Sequence, residues 1–101
     1  MAVAFRLLGE LRVSRDNRPV PIQYPRQRTL LAALLVDLNT VVPTDVLTER
    51  VWGTDLPDAP RAALHTYLSR VRKSVGPGVE ITQRSGGYLL AADPATVDLH
   101  R

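Results

Sequence analysis

The chain has 101 residues, with 45% hydrophobic and 23% charged side chains, which describes one globular domain with a single modest core rather than a disordered segment. It has no Cys, its longest apolar run is the seven residues 30–36, and no basic, apolar leader opens it, so disulfides, thiolate metal sites, a membrane span and a signal peptide are excluded and the cytoplasm is the expected location. Thirteen Lys and Arg against ten Asp and Glu leave +3, compatible with a polyanionic partner; where the basic residues sit matters more than the total.

Phe5 to Val13 has strand composition, with Gly9 as a bend, and Asp16-Asn17-Arg18-Pro19 signals a turn. Val20-Pro21-Ile22 reads as a short returning strand whose prolines suit an edge, giving a small antiparallel sheet. Pro25 opens a helix with Leu30, Leu31, Leu34, Leu35 and Leu38 on one stripe and Asn39 as its C-terminal cap. Val41-Val42-Pro43 is a brief extended link. Thr44 is the N-cap candidate of a short second helix that carries Asp45 in its first turn and stops at Gly53. A third helix starts around Asp58 and Pro60 and runs to about Val75, ended by Gly76-Pro77-Gly78. Two strands, 79–82 and 88–90, flank Arg84-Ser85-Gly86-Gly87 as a hairpin. The expected domain is 1–93, with 94–101 a linker or the start of a following domain. This order of elements is α+β and matches a winged helix-turn-helix: an N-terminal antiparallel sheet, three helices and a C-terminal hairpin wing.

At about 100° per residue, Leu64, Leu68, Val71 and Val75 form the inner stripe of the third helix, with Tyr67 at its margin. The outer side carries Ala62, Thr66, Ser69 and Lys73, flanked by His65 and Arg70, with Arg61 and Arg72 nearer the boundary. Arg can donate twice to a guanine edge, and a Thr methyl can pack on a thymine methyl. An ordinary solvated helix has the same pattern, so the hairpin adds weight: a protruding Arg84 on a Gly-rich tip suits a narrow minor groove, although a plain turn with an exposed Arg is the alternative. Residues 61–84 hold five basic side chains and one acidic, a net +4, which leaves −1 for the remainder. Trp52 reads as a core or loop anchor and His65 as a surface polar group. Ser85-Gly86-Gly87 lacks the Lys-Ser/Thr of a phosphate loop, His100 with Asp98 has no nucleophile, and no acid–base constellation points to an enzyme; no cofactor or metal is expected.

Val51-Trp52-Gly53-Thr54, the run Arg61 through His65-Thr66-Tyr67-Leu68-Ser69-Arg70-Val71-Arg72-Lys73, and Arg84-Ser85-Gly86-Gly87-Tyr88 resemble the OmpR/PhoB-type DNA-binding domain. The Phe5-Arg6-Leu7-Leu8-Gly9 opening, the Pro25-Arg26-Gln27-Arg28 helix start and the Val97-Asp98-Leu99-His100 ending are similar to the Streptomyces antibiotic regulatory protein family, over nearly the whole chain. The resemblance implies a sequence-specific double-stranded DNA-binding activator of antibiotic or secondary-metabolite genes. It implies Thr66 and Arg70 as base readers. Phosphate contacts are expected from Arg61, Tyr67, Ser69, Arg72, Lys73 and Thr82, with Arg84 in the minor groove. Arg26 and Arg28 would clamp phosphate at the start of the first helix. It further implies head-to-tail dimers on direct repeats, and a loop of residues 53–59, acidic through Asp55 and Asp58, that faces RNA polymerase and its sigma subunit. Members usually continue into a helical activation domain, so a fragment of a longer regulator is expected; a phospho-acceptor receiver domain is absent from these residues. The alternative function is a winged-helix protein-interaction module without specific DNA binding.

Overall fold

A computed structural model describes residues 3–7 and 10–98; the expected bend at Gly9 and the residues Leu99 and His100 lie outside them. The chain begins with β1 (Val3–Arg6) and β2 (Arg12–Arg15), paired antiparallel with Phe5 opposite Val13. The returning strand, β3 (Arg18–Pro19), comes two residues earlier than the sequence predicts. The cause is the turn: Asp16 and Asn17 take φ 52° and 65°, the two consecutive left-handed residues that a tight two-residue hairpin of right-handed twist requires. Arg18 and Pro19 are therefore already in the strand. Pro19 sits on the outer strand of the order β1-β2-β3, where its missing N–H costs no ladder bond.

Helix α1 (Pro25–Val36) buries Leu30, Leu31, Leu34 and Leu35 completely. It stops at Asp37, earlier than Asn39, because Arg50 caps it from outside. Arg50 donates to the Ala33 carbonyl at 3.2 Å and pairs with Asp37 at 2.5 Å, a cation placed at the negative end of the helix. Asn39 does take a left-handed φ of 62°, but its work lies elsewhere. Its N–H donates to the Leu90 carbonyl, and its side chain exchanges two hydrogen bonds with the Ala92 backbone.

The link before the second helix is a strand, β4 (Val42–Pro43), which pairs with the wing. In α2 (Thr44–Trp52) Pro43 holds the cap position, and Thr44 is the first helical residue rather than the cap. The Thr44 N–H donates to the Gly86 carbonyl at 3.0 Å. Gly53 ends α2 at φ 61° as expected, its N–H on the Glu49 carbonyl.

Helix α3 (Pro60–Val75) matches its predicted bounds. The wing is β5 (Glu80–Arg84) and β6 (Gly87–Ala91), in a sheet of order β4-β6-β5. The three helices and both sheets share one apolar cluster, to which Phe5, Leu34, Leu47, Leu64, Leu68 and Leu90 all belong. The domain also extends past residue 93. Val97 is fully buried and forms a parallel bridge with Phe5, and Asp98 Oδ1 accepts the Leu7 N–H at 2.7 Å. Residues 94–98 are thus packed on β1 rather than serving as a free linker.

One contact couples the N-terminal sheet to α3. Arg15, on β2, donates through Nη2 to the carbonyls of Val75 and Pro77 at the C-terminus of α3. It satisfies terminal carbonyls and places positive charge at the negative helix end. Arg15→Ala is expected to cost about 1–2 kcal/mol, since charge-assisted hydrogen bonds are worth more than neutral ones and this group is partly solvated. Urea unfolding reads that loss directly, and an unchanged midpoint would show that the guanidinium holds nothing.

Candidate nucleic-acid interface

Helix α3 forms because an apolar side chain returns every three or four residues, and that stripe, Leu64, Leu68, Val71 and Val75, is fully buried. Burial of one face dictates what the other presents. Arg61, Ala62, His65, Thr66, Ser69, Arg70 and Lys73 are all exposed. The Thr66 hydroxyl donates to the Ala62 carbonyl at 3.1 Å, an i−4 bond that fixes its rotamer. Tyr67 is half-buried, its ring 5.5 Å from the Trp52 ring with the planes tilted by 35°. Trp52 is 6% exposed, as a core anchor should be, and this pair holds α2 against α3.

Among the described residues three cations are held by carboxylates. Arg26, Arg28 and Arg50 each pair with a carboxylate: Asp55 at 3.1 Å, Glu10 at 3.2 Å and Asp37. Arg61, Arg70, Lys73 and Arg84 form no ion pair. Positive charge is therefore left facing solvent on α3 and the wing, and also on the N-terminal sheet, where Arg6, Arg12 and Arg18 are exposed without an ion pair among the described residues.

Several expected site residues have partners that sequence does not reveal. Arg26 donates to the Val51 carbonyl at 2.9 Å as well as to Asp55, and so ties α1 to the end of α2 and to the following loop. Arg28 donates to the Leu11 carbonyl at 2.9 Å and to Glu10, bracing the N-terminal sheet. Both side chains are engaged inside the fold in this structure. Arg72 donates through Nε to the Ile81 carbonyl at 2.7 Å, stapling α3 to β5. The Thr82 hydroxyl is buried without a hydrogen-bond partner, so in this geometry it is turned away from any phosphate outside. Asp55 is held by Arg26, whereas Asp58 is exposed and joins no ion pair among the described residues. Between them Leu56 is 53% exposed on the same loop.

Two flanks complete the surface. At the start of α3, Arg61 borders a cleft of about 360 Å³ with Thr44, Asp45 and Thr48 of α2. Thr44 in turn is bonded to Gly86 of the wing turn, so Arg61, α2 and the wing form one continuous edge. Arg84 is exposed at the end of β5 and pairs with Gly87, leaving only Ser85 and Gly86 as the turn. Toward the other end of α3, Arg70, Lys73 and Ser74 border a cleft of about 330 Å³ with Gln23, Tyr24 and Gln27 at the start of α1. The sequence reading missed these three residues at the entry to α1. The signal was present: Gln27 lies three and four residues before Leu30 and Leu31, so the α1 periodicity puts a polar side chain on the buried face.

No cluster of His, Cys, Asp or Glu among the described residues could hold a metal ion, and no described helix is long and apolar enough to cross a membrane. Residues 20–90 match the family model described as "Transcriptional regulatory protein, C terminal". The transcriptional regulatory protein EmbR of Mycobacterium tuberculosis is 37% identical over 102 residues, covering 96% of this chain and 26% of EmbR. The regulatory protein AfsR of Streptomyces coelicolor is 40% identical over 87 residues, covering 86% of this chain and 9% of AfsR. The chain therefore spans about a quarter of the length of EmbR and less of AfsR. Among solved structures, M. tuberculosis EmbR in complex with a low-affinity phosphopeptide superposes with a TM-score of 0.89 at 35% identity, over 97% of this chain and 27% of that one. The C-terminal domain of the nisin resistance regulator NsrR gives a TM-score of 0.67 at 27% identity, over 89% of this chain and 94% of that one. With the buried stripe of α3, the paired wing and these similarities together, the chain belongs to the OmpR/PhoB-type family of transcriptional regulatory winged-helix domains, alongside regulators of the Streptomyces antibiotic regulatory protein type.

Proposed function

We propose that this domain binds double-stranded DNA sequence-specifically, with α3 in the major groove and the β5–β6 wing in the adjacent minor groove, and that it activates transcription of antibiotic or secondary-metabolite genes. The observation that carries the reading is the surface of α3 and the wing: Arg61, Arg70, Lys73 and Arg84 stand exposed without carboxylate partners among the described residues, and α3 itself contains no acidic residue. Arg70 and Thr66 read base edges. Arg61, Tyr67, Ser69, Lys73 and the terminal nitrogens of Arg72 meet phosphates, and Arg84 enters the minor groove. Arg26 and Arg28 support this surface from behind by fixing α1. Two copies bind head to tail on direct repeats. The exposed loop with Leu56 and Asp58 turns toward RNA polymerase and its sigma subunit, with Asp55 tethered by Arg26 at the rim.

Selection of bound sites from random duplexes tests the reading and returns half-site, spacing and orientation together. Each phosphate neutralised steepens the fall of log K with log salt by about 0.9. Lys73→Ala is therefore expected to weaken all duplexes alike and to flatten that slope by about one unit. Enrichment of no sequence, together with a salt-independent affinity, would return the domain to the protein-interaction class.

A further inference from the structure

The cleft between α1 and the C-terminal half of α3 has a composition that no packing argument explains. Gln27 is only 4% exposed, the one buried polar side chain among the described residues, and it lines the cleft. Its amide makes no hydrogen bond to any described residue. The amide atoms are not sealed from solvent, so the polar end of an otherwise buried side chain is what Gln27 offers to the cleft.

The cleft is also positive from two directions. Arg70 and Lys73, one turn apart on α3, both border it without a carboxylate partner, and no Asp or Glu is among its lining residues. The first turn of α1 opens onto it through Tyr24 and Gln27. That turn has no side-chain cap, and Pro25 occupies its first position. The Gln27 and Arg28 N–H groups bond back to the Tyr24 carbonyl, at 3.0 and 3.1 Å, which leaves the Arg26 N–H as a first-turn donor without a backbone acceptor. Helix N-termini of this kind favour anions through the dipole and through their free donors.

We infer that this cleft seats one phosphate, and that on the DNA-binding reading above it is a backbone phosphodiester flanking the bases read by Arg70. Lys73 supplies the charge, the α1 N-terminus and the Gln27 amide supply directed hydrogen bonds, and Ser74 adds a hydroxyl at the rim. The seat makes α1 part of the contact surface through Gln27, at a position where Arg26 and Arg28 are occupied elsewhere. Because Arg70 lines the same cleft, the phosphate fixes the register of α3 in the groove.

The test uses two arms on the 101-residue chain. In the first, duplexes carrying a single neutral methylphosphonate at successive positions are titrated against wild type, Gln27→Glu and Gln27→Leu. Wild type is expected to lose about tenfold in affinity at one flanking position. Gln27→Glu keeps the side-chain shape and adds a repelling charge. It is expected to bind every duplex about tenfold more weakly, to keep the same preferred sequence and to lose sensitivity at that position. Gln27→Leu, which removes the amide without adding charge and leaves Lys73 in place, is expected to reduce that sensitivity without abolishing it, and covers the case in which the Glu variant does not fold. In the second arm, inorganic phosphate is titrated while backbone amide shifts are followed. Millimolar phosphate is expected to move the Arg26 and Gln27 amides in wild type and not in Gln27→Glu. Unchanged methylphosphonate sensitivity in both variants overturns the seat as a DNA contact. Phosphate shifts without any such position mean that the cleft takes free phosphate instead, which also overturns it. Absence of duplex binding by wild type sinks the DNA reading itself, and the phosphate arm alone then decides whether an anion site exists.

Discussion

Gly87→Ala is expected to unfold the wing-side sheet and to be more damaging than alanine at any other described glycine. A Cβ at residue 87 would lie 2.1 Å from the Val42 carbonyl oxygen and 2.7 Å from its carbon. Both are backbone atoms of β4 and cannot swing aside. Either β4 leaves β6, or β6 buckles. The cost should reach about 3 kcal/mol, the upper end for overpacking, which in a domain of this size lowers the melting temperature by roughly 12–24 °C. Gly86→Ala is the matched control. Gly86 has φ +80° and open space around it, so alanine there meets only the left-handed backbone penalty of about 1–2 kcal/mol. Thermal unfolding of the two variants should therefore rank Gly87→Ala well below Gly86→Ala. The reverse ranking would mean that β4 does not press on the wing. Because Thr44 hangs on Gly86, the Gly87 variant should also lose duplex binding more steeply than its stability alone predicts.

Arg70→Ala is expected to abolish discrimination at one base position while leaving the fold unchanged. Arg70 is exposed and has no ion pair among the described residues, so its removal leaves no buried group stranded. A bidentate Arg–guanine contact is worth about 1–3 kcal/mol of discrimination, or roughly 5- to 150-fold in relative affinity. Competition between the selected site and its single-base variants measures this. A uniform loss across all variants would move Arg70 from base reading to phosphate contact, and no loss would remove it from the interface.

How far the sequence could be read depended on whether each feature was local. The α3 stripe and its stop at Gly76 are carried by spacing within a dozen residues and emerged as read; the wing hairpin did too, except that its strands run on to Arg84 and from Gly87, so the turn is two residues instead of four. The N-terminal hairpin slipped by two residues, because four turn-forming residues in a row do not say which two take the left-handed pair. The side-chain partners were illegible for a different reason. Arg26 meets Asp55 from 29 positions away, and Arg15 meets Val75 from 60. Nothing in the neighbourhood of either residue encodes such a meeting, which exists only once the helices are packed. The same holds for Thr82, whose alternation in a strand leaves its direction open until β5 is seated on α3. Gln27 is the intermediate case: its spacing to Leu30 and Leu31 could have placed it inside, and only the structure showed the cations opposite.

The docking of residues 97 and 98 on the first strand bears on the order in which the molecule assembles. The Leu7–Asp98 hydrogen bond joins positions 91 apart. Formed from an unstructured chain, a loop of that length would cost about 4 kcal/mol in closure entropy, which offsets most of what one hydrogen bond and one buried valine return. Formed last, across helices and a hairpin already in place, it closes only the short gap that remains. Contact between β1 and residues 97–98 is therefore expected to close late, a clasp that reports on completion of the body rather than nucleating it.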